Sequence, residues 1–314
     1  MAIPSVDMAD YTSNDPARKQ KFVNELGRAY QEIGFVAVKN HGIPDDLIAR
    51  LYTQVEAFFE LPFETKAKYE IAGLAGQRGY TSFGKEHAKG SEAPDLKEFY
   101  QHGQIVTDGD PIKNEYPENV TIAEVEGYTD MMNTLYRTFE NSGRILLHAI
   151  AEHLQLPVNF FDEHIHNGNS ILRAIHYPPI SSEPKSAIRA EQHEDINLIT
   201  LLVGASADGL EVLDKQNQWH PAKAEPDEIV VNVGDMLQRL TNNKLRSTTH
   251  RVVNPPRELW HTHRYSIPFF LHPRSEMSLA CLDSCIDAEH PKAYEDCTAG
   301  EYLDERLREI GLKK

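Results

Sequence analysis

A chain of 314 residues that is 40% hydrophobic and 25% charged holds enough apolar material for a sizeable core, as one large domain or two intimate ones. The formal net charge of −16 argues against a nucleic-acid surface, which needs Lys and Arg to neutralise phosphates, and against an anionic membrane face. The first residues lack an apolar leader pattern and no apolar run approaches spanning length. The three late cysteines, Cys281, Cys285 and Cys297, have no metal-knuckle spacing. The expectation is therefore a cytoplasmic protein with reduced thiols, whose partner is neither nucleic acid nor a membrane. Oligomeric state stays open.

Asp15-Pro16 opens a helix to about Gln31, with proline in the first turn. Phe35 to Lys39 reads as a strand, Asn40-His41-Gly42 as a turn. Pro44 starts a second helix whose face carries Leu47, Leu51, Val55, Phe58 and Phe59. Pro62 ends it, and Phe63 to Tyr69 continues as a short helix. Residues 72–117 are rich in Gly, Ser, Asp and Pro and predict a long irregular connection, of the kind that serves as a lid. Helical spacing of Val125, Tyr128, Met132, Leu135, Phe139, Leu146 and Ile150 predicts a long helix over Thr121–Leu154 that packs on a sheet. Short strands follow: Leu172–Tyr177, Ile196–Val203, Leu210–Leu213, Ile229–Val233, Ser247–Val253 and Tyr265–Leu271, which indicate a sandwich or jelly roll. Thr298–Leu312 reads as a closing helix.

The chemistry concentrates in Gln192-His193-Glu194-Asp195-Ile196-Asn197-Leu198-Ile199-Thr200-Leu201-Leu202-Val203. Read as one strand, it aims His193 and Asp195 at the same point and Glu194 away, because residues i and i+2 share a face. An imidazole and a carboxylate supply two ligands of a facial metal triad, and His250, on a later strand, is the candidate third. Three protein ligands on one octahedral face leave three positions open, which suits non-haem Fe(II). Arg264 and Ser266 also share a face, where a guanidinium fork and a hydroxyl suit a small carboxylate. The pairs His164/His166 and His261/His263 lack such companions and read as surface or structural.

The order His-x-Asp, distant His, then Arg-x-Ser resembles the isopenicillin N synthase-like family of Fe(II)/2-oxoglutarate oxygenases. Ile3-Pro4-Ser5-Val6-Asp7, Gly34 to Pro44 (Gly-Phe-Val-Ala-Val-Lys-Asn-His-Gly-Ile-Pro) and Phe58-Phe59-Glu60-Leu61-Pro62 are similar to that family's N-terminal region. Tyr302-Leu303-Asp304-Glu305-Arg306-Leu307 resembles its C-terminal helix. The resemblance implies an α+β fold in one compact unit. A double-stranded β-helix, or jelly-roll, core would span 166–280. Around it lie an N-terminal α/β region over 1–118, helical support over 119–165 and a C-terminal helical segment over 281–314.

The resemblance further implies Fe(II) on His193, Asp195 and His250, with 2-oxoglutarate and dioxygen as co-substrates. Arg264 and Ser266 would hold the distal carboxylate of 2-oxoglutarate, with Tyr177 as a helper. The reaction would hydroxylate, desaturate or cyclise a small organic molecule and release succinate and carbon dioxide. Arg173, Tyr80 and Phe99 are its candidate substrate contacts, Arg173 as a cation for an acidic substrate. Two departures are visible: Ile175-His176 stands where the family keeps Asn-Tyr, and Pro255-Pro256-Arg257-Glu258 lengthens the link from His250 to Arg264. The residues also allow an oxoglutarate-independent oxidase like isopenicillin N synthase, a zinc hydrolase, or a jelly-roll binding protein without chemistry.

Overall fold

The computed structural model describes residues 3–74, 76–86, 95–184, 186–204 and 208–309. Among these, the strands form two sheets. The larger has eight strands in the order Ser5–Asp7, Phe35–Lys39, Glu228–Val233, Ile199–Val203, Arg264–Leu271, Ile171–Tyr177, Glu98–Gly103 and Gly79–Thr81. Neighbours run antiparallel except the first pair. The smaller sheet has four strands: Ala190–His193, His250–Val252, Leu210–Leu213 and Trp219–Pro221. Central strands such as Glu-Ile-Val-Val-Asn-Val are buried along their whole length, so they read as near-continuous apolar runs rather than alternating ones.

The outer face of the larger sheet carries the helices and the main core. Pro16–Glu32 begins where Asp15 accepts from the Ala17 and Arg18 amides. Asp45–Phe59 follows Pro44. The long helix Tyr128–His153 lays Tyr136 and Phe139 on Phe269, with ring centres 5.1 and 5.5 Å apart. Gly143 permits this approach, because a Cβ there would sit 2.3 Å from a Leu271 methyl. A larger side chain at 143 would lift the helix off the sheet, at roughly 1–3 kcal/mol for an overpacked core site.

The inner face meets the smaller sheet through two satellite clusters. One is Phe99, Ile175, Tyr177, Ala190 and Val252; the other is Phe35, Val212 and Val230. Residues of both line a cavity of about 530 Å³.

Several expectations change. The long helix starts at Tyr128, not Thr121, after Gly127 with φ of 75°. The Ser247–Val253 strand contracts to His250–Val252. The 72–117 segment is not an irregular connection throughout, since Gly79–Thr81 and Glu98–Gly103 extend the larger sheet and Pro111–Asn114 forms a 3-10 turn. Its residues 75 and 87–94 lie outside the described ones. The expected continuous strand over 192–203 is broken. One strand ends at His193 and the next starts at Ile199, in the other sheet. The backbone between them bonds elsewhere: Asp195 and Leu198 carbonyls accept from the Asp235 and Gly234 amides, and the Leu198 amide donates to Leu271.

Candidate active site

His193 ends one strand of the smaller sheet and His250 begins its neighbour; the two residues face each other in the ladder. Asp195 sits on the crossover to the larger sheet. The ligand atoms of His193, Asp195 and His250 all lie within 4.8 Å of one another, and each imidazole Nε2 is under 4 Å from Asp195 Oδ1, at 3.9 and 3.8 Å. Strand parity is therefore not what brings them together; the crossover does. The same break corrects a second expectation, because Glu194 also lines the cavity and accepts a hydrogen bond from Thr249 at 2.8 Å.

The partners of these ligands leave the converging atoms available. His193 Nδ1 lies 2.7 Å from the Glu191 carbonyl and His250 Nδ1 lies 3.0 Å from the Thr248 carbonyl. A carbonyl only accepts, so each Nδ1 carries the hydrogen and each Nε2 keeps its lone pair for a metal. Asp195 Oδ2 accepts from Thr200 at 2.6 Å and Asn232 at 2.8 Å, which leaves Oδ1 facing the imidazoles. Asn197 in turn donates to Thr200 at 2.9 Å. Burial alone would raise the Asp195 carboxyl, but His250, His193 and the two hydrogen bonds outweigh it and hold the group below the usual carboxylate range. Burial and the neighbouring His250 lower the proton affinity of His193. A neutral-imidazole and carboxylate donor set with this convergence fits a divalent iron with open positions.

Arg264, Ser266, Pro268 and Phe270 alternate along one strand and all line the cavity. Phe270 pairs with Thr200, beside Asp195, so this strand runs from Arg264 at one end to the ligand cluster at the other. Arg264 is 1% exposed, pairs across the ladder with Tyr177, and holds its Cζ 4.9 Å from the Tyr177 ring centre. Pro255 to Trp260 forms an extra turn, with a 3-10 segment at Arg257–Leu259, before this strand begins.

On the next strand, Arg173 lines the same cavity. Its guanidinium lies over Phe99 at 4.3 Å and near Phe270 at 5.3 Å. Its Nε donates to Gln101, and its Nη1 pairs with Glu86 at 3.3 Å. Glu86 also meets Lys97 at 3.4 Å, and Lys97 meets Asp95 at 2.8 Å. Burial would raise the Glu86 carboxyl, but Lys97, Arg173 and His193 bring it down to about 2. Arg173, expected as a second cation for an acidic substrate or as a rim charge, is thus one member of a chain of alternating charges. Glu86 and Gln101 escaped notice because a loop acid and a strand amide carry no local pattern; Asp95 and Lys97 lie in a stretch whose loop-like composition hid the strand that follows.

Phe99 lies on the inner face, packed beneath Arg173. Tyr80 does not line the cavity. It pairs with Tyr100 on the outer face, its hydroxyl donates to Glu98 and its ring meets Phe58 in the main core. Leu303, Arg306 and Leu307 of the helix Ala299–Glu309 complete the cavity wall.

Known proteins resemble this chain in sequence and fold. Residues 3–124 match the family described as the N-terminal region of non-haem dioxygenase in morphine synthesis, and residues 168–273 match the 2OG-Fe(II) oxygenase superfamily. The proline hydroxylase buaE of Petromyces alliaceus is 34% identical over 98% of this chain and 99% of its own. A crystal structure assigned to the 2OG-Fe(II) oxygenase family, from Caulobacter crescentus, is 42% identical over 98% of this chain and 99% of its own, with a TM-score of 0.89. A full-length Neurospora crassa protein crystallised in complex with alpha-KG (2-oxoglutarate) is 31% identical over 98% and 95%, with a TM-score of 0.86. These relatives set aside the zinc-hydrolase and non-catalytic readings. The chain belongs to the 2OG-Fe(II) oxygenase superfamily, with a double-stranded β-helix core, and is an Fe(II)- and 2-oxoglutarate-dependent dioxygenase.

Proposed function

We propose that the enzyme oxidises a small polar molecule, by hydroxylation in the first instance, in the cavity between its two sheets. The observation that carries this is the convergence of His193, Asp195 and His250 at one end of a strand whose other end is Arg264. His193, Asp195 and His250 hold Fe(II). Arg264 and Ser266 bind the distal carboxylate of 2-oxoglutarate, and Tyr177 supports them from the paired strand. When bound, iron, 2-oxoglutarate and dioxygen supply an oxidant able to remove a hydrogen atom from the substrate, with succinate and carbon dioxide released.

The protein's own share is placement. Arg173, propped on Phe99 and Phe270, orients the substrate; Ile171, Phe270, Leu303 and Leu307 exclude water. Because Glu86 already balances Arg173, a neutral or zwitterionic substrate suits the site better than a simple anion. Two relatives, the proline hydroxylase and the Neurospora crassa protein also crystallised with thymine, are named for or bind small polar molecules of this size. The three unpaired thiols fit a cytoplasmic setting, and the net charge fits a partner other than nucleic acid.

An anaerobic visible spectrum of the apoprotein with Fe(II), before and after 2-oxoglutarate, tests the assignment. A new charge-transfer band on adding 2-oxoglutarate is expected, and Arg264→Ala should shift its titration to much higher 2-oxoglutarate. An unchanged titration in that variant would place the co-substrate elsewhere. Arg173→Ala should leave the band intact and abolish substrate-stimulated succinate release.

A further inference from the structure

Arg189 is a second fully buried arginine at the Arg264 end of the cavity. Both are 1% exposed, and the Arg189 Cζ lies 5.9 Å from the same Tyr177 ring centre that Arg264 approaches. Arg189 immediately precedes the strand Ala190–His193, which carries a metal-ligand candidate at its far end. Its Nη2 donates to the Thr262 carbonyl at 3.3 Å, two residues before Arg264. Its Nε has no hydrogen-bond partner among the described residues, and among them no carboxylate pairs with it.

Arg78 is likewise buried among neutral partners, but what distinguishes Arg189 is its place beside a second arginine, and other buried cations have counter-ions. Lys66 is met by Glu98, Lys97 by Asp95 and Glu86, and Arg173 by Glu86. A buried cation without a counter-ion is costly, and a like charge nearby makes it costlier. Burial and then the Arg264 charge pull the Arg189 guanidinium down to about 10, so it remains ionised at neutral pH. Two positive charges are therefore kept beside one tyrosine ring, at the end of a cavity that takes a dicarboxylate. Arg189 itself does not line that cavity, so it touches the ligand only through Tyr177, Arg264 and its field.

We infer that Arg189 is a positioning residue for the co-substrate: its charge, stored behind Tyr177, strengthens the hold on the distal carboxylate of 2-oxoglutarate, while its bond to Thr262 fixes the approach to Arg264. The inference rests on the reading of the Arg264 end as the 2-oxoglutarate end. An Arg189 that serves only the fold would serve any 2-oxo acid alike, and one that only places Arg264 through Thr262 would not be replaced by Lys. A charge-storing one discriminates by the far end of the ligand.

The test is an anaerobic titration of the Fe(II) protein with 2-oxoglutarate and, separately, with 2-oxopentanoate, which has a methyl where 2-oxoglutarate has its distal carboxylate. Binding is read from the charge-transfer band, without turnover. Arg189→Met should weaken 2-oxoglutarate roughly tenfold, the size of one partly screened charge interaction, and leave 2-oxopentanoate unchanged. Arg189→Lys keeps the charge and should keep the preference between the two acids. Equal weakening of both acids in Arg189→Met, or no weakening of 2-oxoglutarate, overturns the inference. If Arg189→Met does not fold, Arg189→Lys decides: a preference at the wild-type value supports the stored charge, and a lost preference refutes it. If the unsubstituted protein gives no band with 2-oxoglutarate, the co-substrate assignment itself fails, a result distinct from either.

Discussion

Asp195 has two carboxylate oxygens and uses them differently. Oδ2 is taken by Thr200 and Asn232, while Oδ1 is turned toward the two imidazoles. Hydrogen bonds of this kind orient a ligand and tune its basicity, and losing one costs about 10- to 100-fold in metal affinity. Thr200→Val tests this, because it keeps the β-branched shape in a buried strand and removes only the hydroxyl. Fe(II) affinity, measured anaerobically by competition with a chelator, should fall by about that factor while the folded state persists. Unchanged affinity would mean that Asn232 alone holds the carboxylate.

Much of this residue-scale chemistry was legible, because ligand types and Arg-x-Ser order are properties of the sequence itself. The route by which Asp195 arrives was not. Its backbone carbonyl is bound by the Asp235 amide, from a distant part of the chain, and no local period records such a contact. The same limit explains Arg189, whose meaning depends on Tyr177 and Thr262 from other elements.

At the scale of elements, Glu98–Gly103 shows why sequence patterns fall short. Its residues are all buried, on one face against the cavity and on the other against the helices, so polar residues on both sides erase the alternation that marks a half-exposed strand. His102 faces outward, is fully buried, and its Nε2 bonds Asn133 of the long helix at 2.8 Å. Burial, with a smaller push from the Arg78 charge, lowers its pKa to about 4, although the Asn133 bond works the other way. The unfolded chain therefore takes up this proton near its ordinary value, about 6.5, and the folded chain only near 4.

The stability contribution is full above the unfolded value and is lost as pH falls toward the folded one, by about 3 kcal/mol over the window. His102→Gln retains a hydrogen-bonding group opposite Asn133 and does not titrate. Urea unfolding from about pH 7 to about pH 4.5 should show a shallower loss of stability in this variant than in the wild type. Parallel curves would show that His102 is protonated in the fold, and that the link between strand and helix does not depend on its neutral form.

At the scale of the whole molecule, the proposed metal site is where the two sheets meet. His193 and His250 belong to the smaller sheet, whereas Asp195 is anchored through Thr200 and Asn232 to the larger. A metal bound to all three therefore ties the sheets together in the folded state and has no such preformed site in the unfolded one. Linkage then gives a magnitude: at a free metal concentration about 100 times its Kd, the fold gains about 2.7 kcal/mol. For a chain of this size that is a rise in Tm of roughly 4 °C.

Because 2-oxoglutarate is proposed to join the metal at one end and Arg264 of the larger sheet at the other, it should add a further rise, and only when metal is present. His193→Ala should unfold near the temperature of the metal-free wild type and gain little from Fe(II), since the substitution lies at a strand end rather than in the core. Anaerobic thermal unfolding of both proteins, with and without Fe(II) and 2-oxoglutarate, measures all of these. An equal rise with 2-oxoglutarate alone would mean that the dicarboxylate binds without the metal, and that the two ends of the cavity act separately rather than as one clamp across the sheets.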